Sequence, residues 1–290
     1  MPDTEYSEHV IQSGQSHIVL SVWEPREPEA VVIFIPATMI HPLVYESLLL
    51  CFAEQGFAVV GLHPVGHGKS PRDVKRYSLR DIVQNGCDAV SFALERYALP
   101  VIVMGSSQGG TVAAAIAAAD ERVAAVFAHT VMLSELSDSI EITRFRKWLR
   151  YVYRPAKGLF KIFAFFRPDL ELPSYFYLDP TRISADTVVW EMLANDELCL
   201  THYSVHFLAS LFTTRFHGLT DGSIRCPLYM MTDSGDKLFP ETYIKKVFEH
   251  IRAQRKEMIT FHFGDHMFMF SHPREVCEIL INTMRLYKKV

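Results

Sequence analysis

A chain of 290 residues with 49% hydrophobic content can bury a large core, and it suits one α/β domain with an insertion better than two independent domains. The net charge of -4 gives no reason to expect nucleic acid as a partner. No stretch approaches ~18 uninterrupted apolar residues, and the first residues, with Glu5 and Glu8, lack the basic and apolar parts of a signal peptide, so a cytoplasmic location is expected.

Strand-like runs recur at Val31 to Pro36, Phe57 to Leu62, Val101 to Gly105, Val123 to His129, Pro227 to Thr232 and Met258 to Phe263, preceded by His17 to Trp23 as the start of an antiparallel edge. Between most of them lie helical patterns: Leu43 to Gln55, Leu79 to Tyr97, Gln108 to Asp120, Thr242 to Gln254 and Arg274 to Tyr287. Ser78 with Asp81 reads as a capping box at one of these N-termini. Strand and helix in alternation imply a mostly parallel, doubly wound sheet covered on both faces. The alternation lapses between about Leu133 and Leu219, where the chain turns helical and aromatic. We therefore expect a core of residues 1–135 and 220–290 with a helical lid, 136–219, inserted after the sixth strand. In open α/β sheets ligands bind outside the carboxyl ends of the strands, where such an insertion would sit.

Cys51, Cys87, Cys199, Cys226 and Cys277 are scattered, odd in number and free of C-x-x-C pairing. Free thiols, mostly in cores, are expected rather than a disulfide framework or a zinc site. No histidine cluster has metal-ligand spacing, so neither a metal nor a cofactor is expected.

The run Val101 to Gly110 carries the strongest chemical signal. An apolar strand ends in Gly105-Ser106-Ser107-Gln108-Gly109-Gly110 and passes directly into an alanine-rich helix. Glycines two before and two after Ser107 keep side chains out of a sharp strand-to-helix bend, the signature of a nucleophile elbow. A serine hydroxyl needs an adjacent base, itself oriented by a third group. Downstream, the strand Pro227 to Thr232 exits into Asp233-Ser234-Gly235-Asp236, and the strand Met258 to Phe263 into Gly264-Asp265-His266. His262 lies inside an alternating strand and His272 just before a helix, which leaves His266 at the strand exit. Asp233 competes with Asp236 and could cap the turn instead. Asp265 reads as a solvated turn residue.

These features resemble the α/β-hydrolase superfamily, most closely lidded serine hydrolases of the monoacylglycerol lipase and serine aminopeptidase type. The resemblance rests on four segments: the elbow, Gly66-His67-Gly68-Lys69-Ser70, Asp236 four residues before Pro240, and His266 seven before Pro273. It implies Ser107 as nucleophile, Asp236 as acid and His266 as base. The family usually has histidine-glycine after its first long strand, whereas this chain reads Ile35-Pro36-Ala37-Thr38-Met39. Because the donor in that loop is a backbone amide, the oxyanion hole is assigned to the amides of Gln108 and Thr38, with Met39 as the other register. His63 stands where the family commonly has aspartate. His67 and His41 read as structural, and His129 as a residue at a strand end that could line the pocket.

From Ile142 to Pro168 the chain has no acidic residue and eight basic ones, interleaved with aromatics from Phe145 to Phe166. One reading is a peripheral contact of residues 144–167 with an anionic membrane. The other, favoured because Pro155 and Gly158 interrupt a single amphipathic helix, is a basic lid whose aromatics pack on the pocket. Either way the pocket roof is apolar, which favours a small-molecule apolar ester. The same triad could serve a thioesterase, an acyltransferase or a carbon-carbon bond hydrolase, and the fold alone could hold an apolar ligand without catalysis.

Overall fold

The computed structural model describes residues 4–184 and 186–289. Eight strands form one sheet in the order β1-β2-β4-β3-β5-β6-β9-β10. They are β1 (Thr4–Ser13), β2 (Ser16–Pro25), β3 (Ala30–Ile35), β4 (Phe57–His63), β5 (Val101–Ser106), β6 (Val123–His129), β9 (Ile224–Asp233) and β10 (Ala253–Phe261). β1, β2 and β4 pair antiparallel, and every pairing from β4 to β10 is parallel.

The central strands β3 to β6 are buried along almost their whole length and mostly apolar, because both faces are covered. On β3, Val31, Ile33 and Ile35 pack on the side of α2 (Leu79–Tyr97) and α3 (Gln108–Ala119). Val32 and Phe34 of the same strand face the opposite core, with α1 (Glu46–Glu54) and α10 (Pro273–Met284). α2 starts where the capping box is expected: the Ser78 backbone N–H donates to Asp81 Oδ2 at 2.7 Å, and the Asp81 amide donates back to Ser78 Oγ. α8 (Glu241–His250) leads into β10, which begins five residues before Met258.

Between β6 and β9 the chain departs from the sheet. It runs through short 3-10 turns, then α4 (Tyr153–Phe166), α5 (Pro180–Ile183), α6 (Thr187–Asn195) and α7 (Val205–Thr213), with β7 (Glu171–Pro173) and β8 (His202–Ser204) as a separate antiparallel pair. A last short helix, α9 (Phe268–Ser271), precedes α10.

Three expectations need correction. The edge strand is β1 rather than the segment from His17, which lies one position in. Cys51 on α1 and Cys277 on α10 form a disulfide, with Cα atoms 6.4 Å apart, so only Cys87, Cys199 and Cys226 are free thiols. Their separation of 226 residues carries no local signal, and the tertiary contact of the two helices creates it. Finally, α4 runs unbroken through Pro155 and Gly158. Pro155 is its third residue, in the first turn, where the missing N–H has no intrahelical partner to lose. Among the described residues, no helix is long and apolar enough to cross a membrane.

Candidate active site

The elbow is built by the strand-to-helix junction. β5 ends at Ser106, α3 begins at Gln108, and Ser107 between them adopts φ 54° and ψ -117°. A non-glycine residue in that region costs on the order of 1–3 kcal/mol and persists only when its surroundings enforce it. The enforcement comes from close packing of backbone: a Cβ on Gly105 would overlap the Gly109 carbonyl, and one on Gly109 would overlap the Ile35 carbonyl.

Ser107 donates to His266 Nε2 at 2.9 Å, and His266 Nδ1–H donates to Asp236 Oδ2 at 2.7 Å. The carboxylate accepts only, so the ring proton sits on Nδ1 and Nε2 is free to take the serine proton. All three residues are buried. Asp236 Oδ1 accepts the amides of Leu238 at 2.7 Å and Phe239 at 2.9 Å. Burial alone would raise the Asp236 pKa, but the electrostatic attraction and hydrogen bond of His266, followed by His129 and the Phe239 amide, outweigh it and hold the carboxyl below its ordinary range. The His266 ring is stacked on Phe239, with centroids 5.5 Å apart.

The competing residues are engaged elsewhere. Asp233 accepts the amides of Gly235, Phe263 and Gly264, tying the exits of β9 and β10 together. Asp265 accepts from the Met267 amide and the Ser271 hydroxyl. His262 meets Ser234, and His272 stacks on Phe263. His67 bonds the Val65 carbonyl through Nδ1. His63 accepts the Lys69 amide on Nδ1 and so donates from Nε2 to Ser21 Oγ at 3.0 Å. A buried neutral imidazole thus fills the place where the resemblance implies aspartate.

In the loop after β3, Thr38 Oγ1 donates to the Gln108 side-chain carbonyl at 2.8 Å. Gln108, the first residue of α3, has an amide without an intrahelical partner. The Met39 amide donates to Tyr203 Oη at 2.7 Å, while among the described residues the Thr38 amide has no partner. Thr38, Met39, Ser107, Leu178, Trp190 and His266 all line one cavity of about 40 Å³.

Two side chains that sequence reasoning missed hold this site. Tyr203, at β8, fixes Met39. Arg182, on α5, donates to the carbonyls of Lys237, Thr143, Glu141 and Leu238, clamping the insertion onto the turn that carries Asp236. Neither has a sequence signal, because both act on backbone atoms. Spatial clustering also brings metal-type donors together that chain spacing keeps apart: those of His129, Asp236 and His266 lie within 4.8 Å of one another, as do those of His41, Asp196 and Cys199. His41 Nε2 and Asp196 Oδ2 in the second group are already joined at 2.7 Å.

A strained serine at an elbow, hydrogen-bonded to a histidine above a mostly parallel eight-stranded sheet, defines an α/β-fold serine hydrolase. The chain belongs to the family described as serine aminopeptidase, S33, whose model matches residues 26–272. Solved structures share the fold at low identity. A monoacylglycerol lipase of Paleococcus ferrophilus is 18% identical, covering 96% of this chain and 99% of its own, with a TM-score of 0.69. A soluble variant of the Saccharomyces cerevisiae monoglyceride lipase, in complex with a substrate analog, is 13% identical over 100% of this chain and 96% of its own, with a TM-score of 0.74. A thermostable carboxyl esterase of Bacillus coagulans is 17% identical over 96% and 98%, with a TM-score of 0.67. No curated protein matches the chain in sequence.

Proposed function

We propose that the protein is a serine esterase cleaving a carboxylic ester with an apolar acyl chain, through Ser107 as nucleophile, His266 as base and Asp236 as acid. The observation that carries this reading is the unbroken hydrogen-bond chain from Ser107 through His266 to Asp236. Ser107 attacks the acyl carbonyl as His266 takes its proton; the imidazolium returns that proton to the departing alcohol, and His266 then activates water to release the acid. Asp236 holds the tautomer and stabilises the imidazolium. The amides of Gln108 and Thr38 stabilise the tetrahedral oxyanion, and the bond between the two side chains holds the loops at one spacing. The three esterase and lipase structures of like fold agree with an ester substrate.

A second, larger cavity supports the apolar substrate. It measures about 220 Å³ and is lined by Ile140, Phe145, Leu149, Phe160, Leu208 and Phe212 among others, all within the insertion. That exceeds the ~150 Å³ of an apolar cavity that takes benzene. Tyr177 lines this cavity and the next residue, Leu178, lines the one at Ser107. The 40 Å³ space at Ser107 holds little more than a water molecule, so an acyl chain enters only when residues 136–219 move as a lid.

The outer face of that lid suits an anionic lipid surface. Phe165, Tyr151, Phe166 and Leu159 are 80, 77, 73 and 69% exposed, on a segment with eight basic residues and no acidic one. The outward rings of Phe165, Tyr151 and Phe166 and the continuity of α4 favour this reading over a lid whose aromatics only pack on the pocket, as Phe145 and Phe160 do. Hydrolysis of p-nitrophenyl esters of increasing acyl length tests the proposal: a preference for chains longer than acetyl, abolished in Ser107→Ala, supports it. Turnover of none of these esters by wild-type protein would overturn it.

A further inference from the structure

Among the buried histidines that the mechanism leaves unused, His129 packs against the triad. His129, the last residue of β6, has no exposed surface, and its ring centroid lies 4.9 Å from that of His266. Phe268 of α9 meets it edge-on at 4.6 Å. Tyr45 donates to Ser106 Oγ at 3.0 Å, and Ser106 Oγ lies 3.4 Å from His129 Nδ1. With Tyr45 donating to Ser106, the Ser106 hydroxyl keeps its own proton to give to Nδ1, an arrangement that places the single proton of a neutral His129 on Nε2. That Nε2 is buried and has no partner among the described residues. Leaving a buried imidazole nitrogen unpaired is costly, which calls for a reason. The nearest one is electrostatic: a His129 nitrogen, an Asp236 carboxylate oxygen and a His266 nitrogen lie within 4.8 Å of one another.

We propose that His129 is a fourth, positioning member of the Ser107, His266 and Asp236 group: a neutral imidazole whose Nε2–H dipole supports the Asp236 carboxylate and whose ring packs beside that of His266. This rests on the triad reading of the preceding section. The relay Tyr45–Ser106–His129 starts next to the nucleophile, so the residue before Ser107 sets the tautomer of the group behind His266. A neutral donor lets Asp236 stabilise the imidazolium without making His266 too basic to release its proton. The titratable groups acting on His129 are His266 and Asp236, with Tyr45 reached through Ser106; Phe268 brings none. Burial first, and then His266, keep His129 uncharged, lowering its pKa to about 3.

Two measurements test this. In protein labelled with 15N-histidine, long-range NMR correlations should find His129 neutral and protonated on Nε2 between pH 5 and 8; an Nδ1–H tautomer or a charged ring would overturn the proposal whether or not any variant folds. In His129→Phe, kcat should fall between about ten- and a hundredfold, the scale of a hydrogen bond to a charged group, with KM little changed. The acid limb of kcat/KM should move to higher pH, because a less compensated Asp236 makes His266 more basic. His129→Gln, which keeps an N–H, should recover most of both. A folded His129→Phe with wild-type kcat and an unmoved limb would overturn the proposal, as would equal losses in both variants without a shift. Ser107→Ala separates the two layers: if it is inactive while His129→Phe is unchanged, only the role of His129 fails, whereas full activity in Ser107→Ala removes the triad reading itself.

Discussion

The amide of Met39 donates a 2.7 Å hydrogen bond to the hydroxyl of Tyr203, 164 residues away, and so ties the loop after β3 to β8 in the segment between β6 and β9. The Leu200 amide donates to the Met39 carbonyl at 2.7 Å, closing a second link on the same residue. Met39 itself has φ 76°, a conformation that needs such restraint. With the Met39 amide held by Tyr203, the neighbouring Thr38 amide is the one the proposed oxyanion hole would use. Tyr203→Phe should therefore leave a part-buried amide without its partner and cost about 1 kcal/mol of stability. It should also lower kcat more than it raises KM, as read from steady-state ester hydrolysis. Wild-type stability and kcat in that variant would mean that the link does not hold the loop.

The disulfide between Cys51 and Cys277 staples α1 to α10 across 226 residues. Closing a loop of that length restricts the unfolded chain, and removing the bond should cost about 2–5 kcal/mol. Thermal unfolding of the wild type with and without reductant, beside Cys51→Ala/Cys277→Ala, reads this. A Tm unchanged by both treatments would show that the pair does not stabilise the fold.

Acid should weaken the fold through three buried neutral histidines. Burial, above all other causes, lowers the pKa of His63 to about 3, of His67 to about 4 and of His129 to about 3. Each has an ordinary value near 6.5, so between these limits the unfolded chain binds protons that the folded one refuses, and stability rises with pH. Their contribution is intact above about pH 6.5 and is lost as pH falls toward 4; at pH 5 each costs the fold about 2 kcal/mol. Urea unfolding at pH 7.5 and 5 should show a clear drop, and His63→Phe should make it shallower if it folds. Equal stability at both pH values would contradict the assignment.

Lipid docking is checked by vesicle sedimentation. Binding to phosphatidylserine-containing vesicles should exceed binding to phosphatidylcholine alone, fall as salt rises, and weaken in Phe165→Ser/Phe166→Ser with ester hydrolysis of soluble substrates retained. Each basic residue at the surface is worth about 1 kcal/mol of that attraction. Equal binding to both vesicle types would leave the basic segment without this role.

Much of the sheet is legible in the residues because β3, β4, β5 and β6 are continuous apolar runs bounded by turns. β1 is not, because Thr4 to His9 is polar at every position but Tyr6, on an edge that only one neighbour covers. Ser107 and His266, the proposed nucleophile and base, stand out by glycines and strand exits, whereas the choice of Asp236 over Asp233 as the proposed acid rests on which carboxylate meets His266, a spatial contact. The contacts of Arg182, Tyr203 and the Tyr45–Ser106–His129 relay are tertiary, joining residues far apart in the chain through backbone carbonyls, an amide and hydroxyls. No periodicity encodes them. Pro155 misleads as a helix breaker because its effect depends on where the first turn falls.

The central claim is that Ser107 is the nucleophile, and intact-protein mass spectrometry after reaction with a fluorophosphonate tests it most directly. The account predicts one phosphonyl adduct on wild-type protein, mapped to Ser107, and none on a folded Ser107→Ala. An adduct that persists in Ser107→Ala, or that maps to another residue, would contradict it.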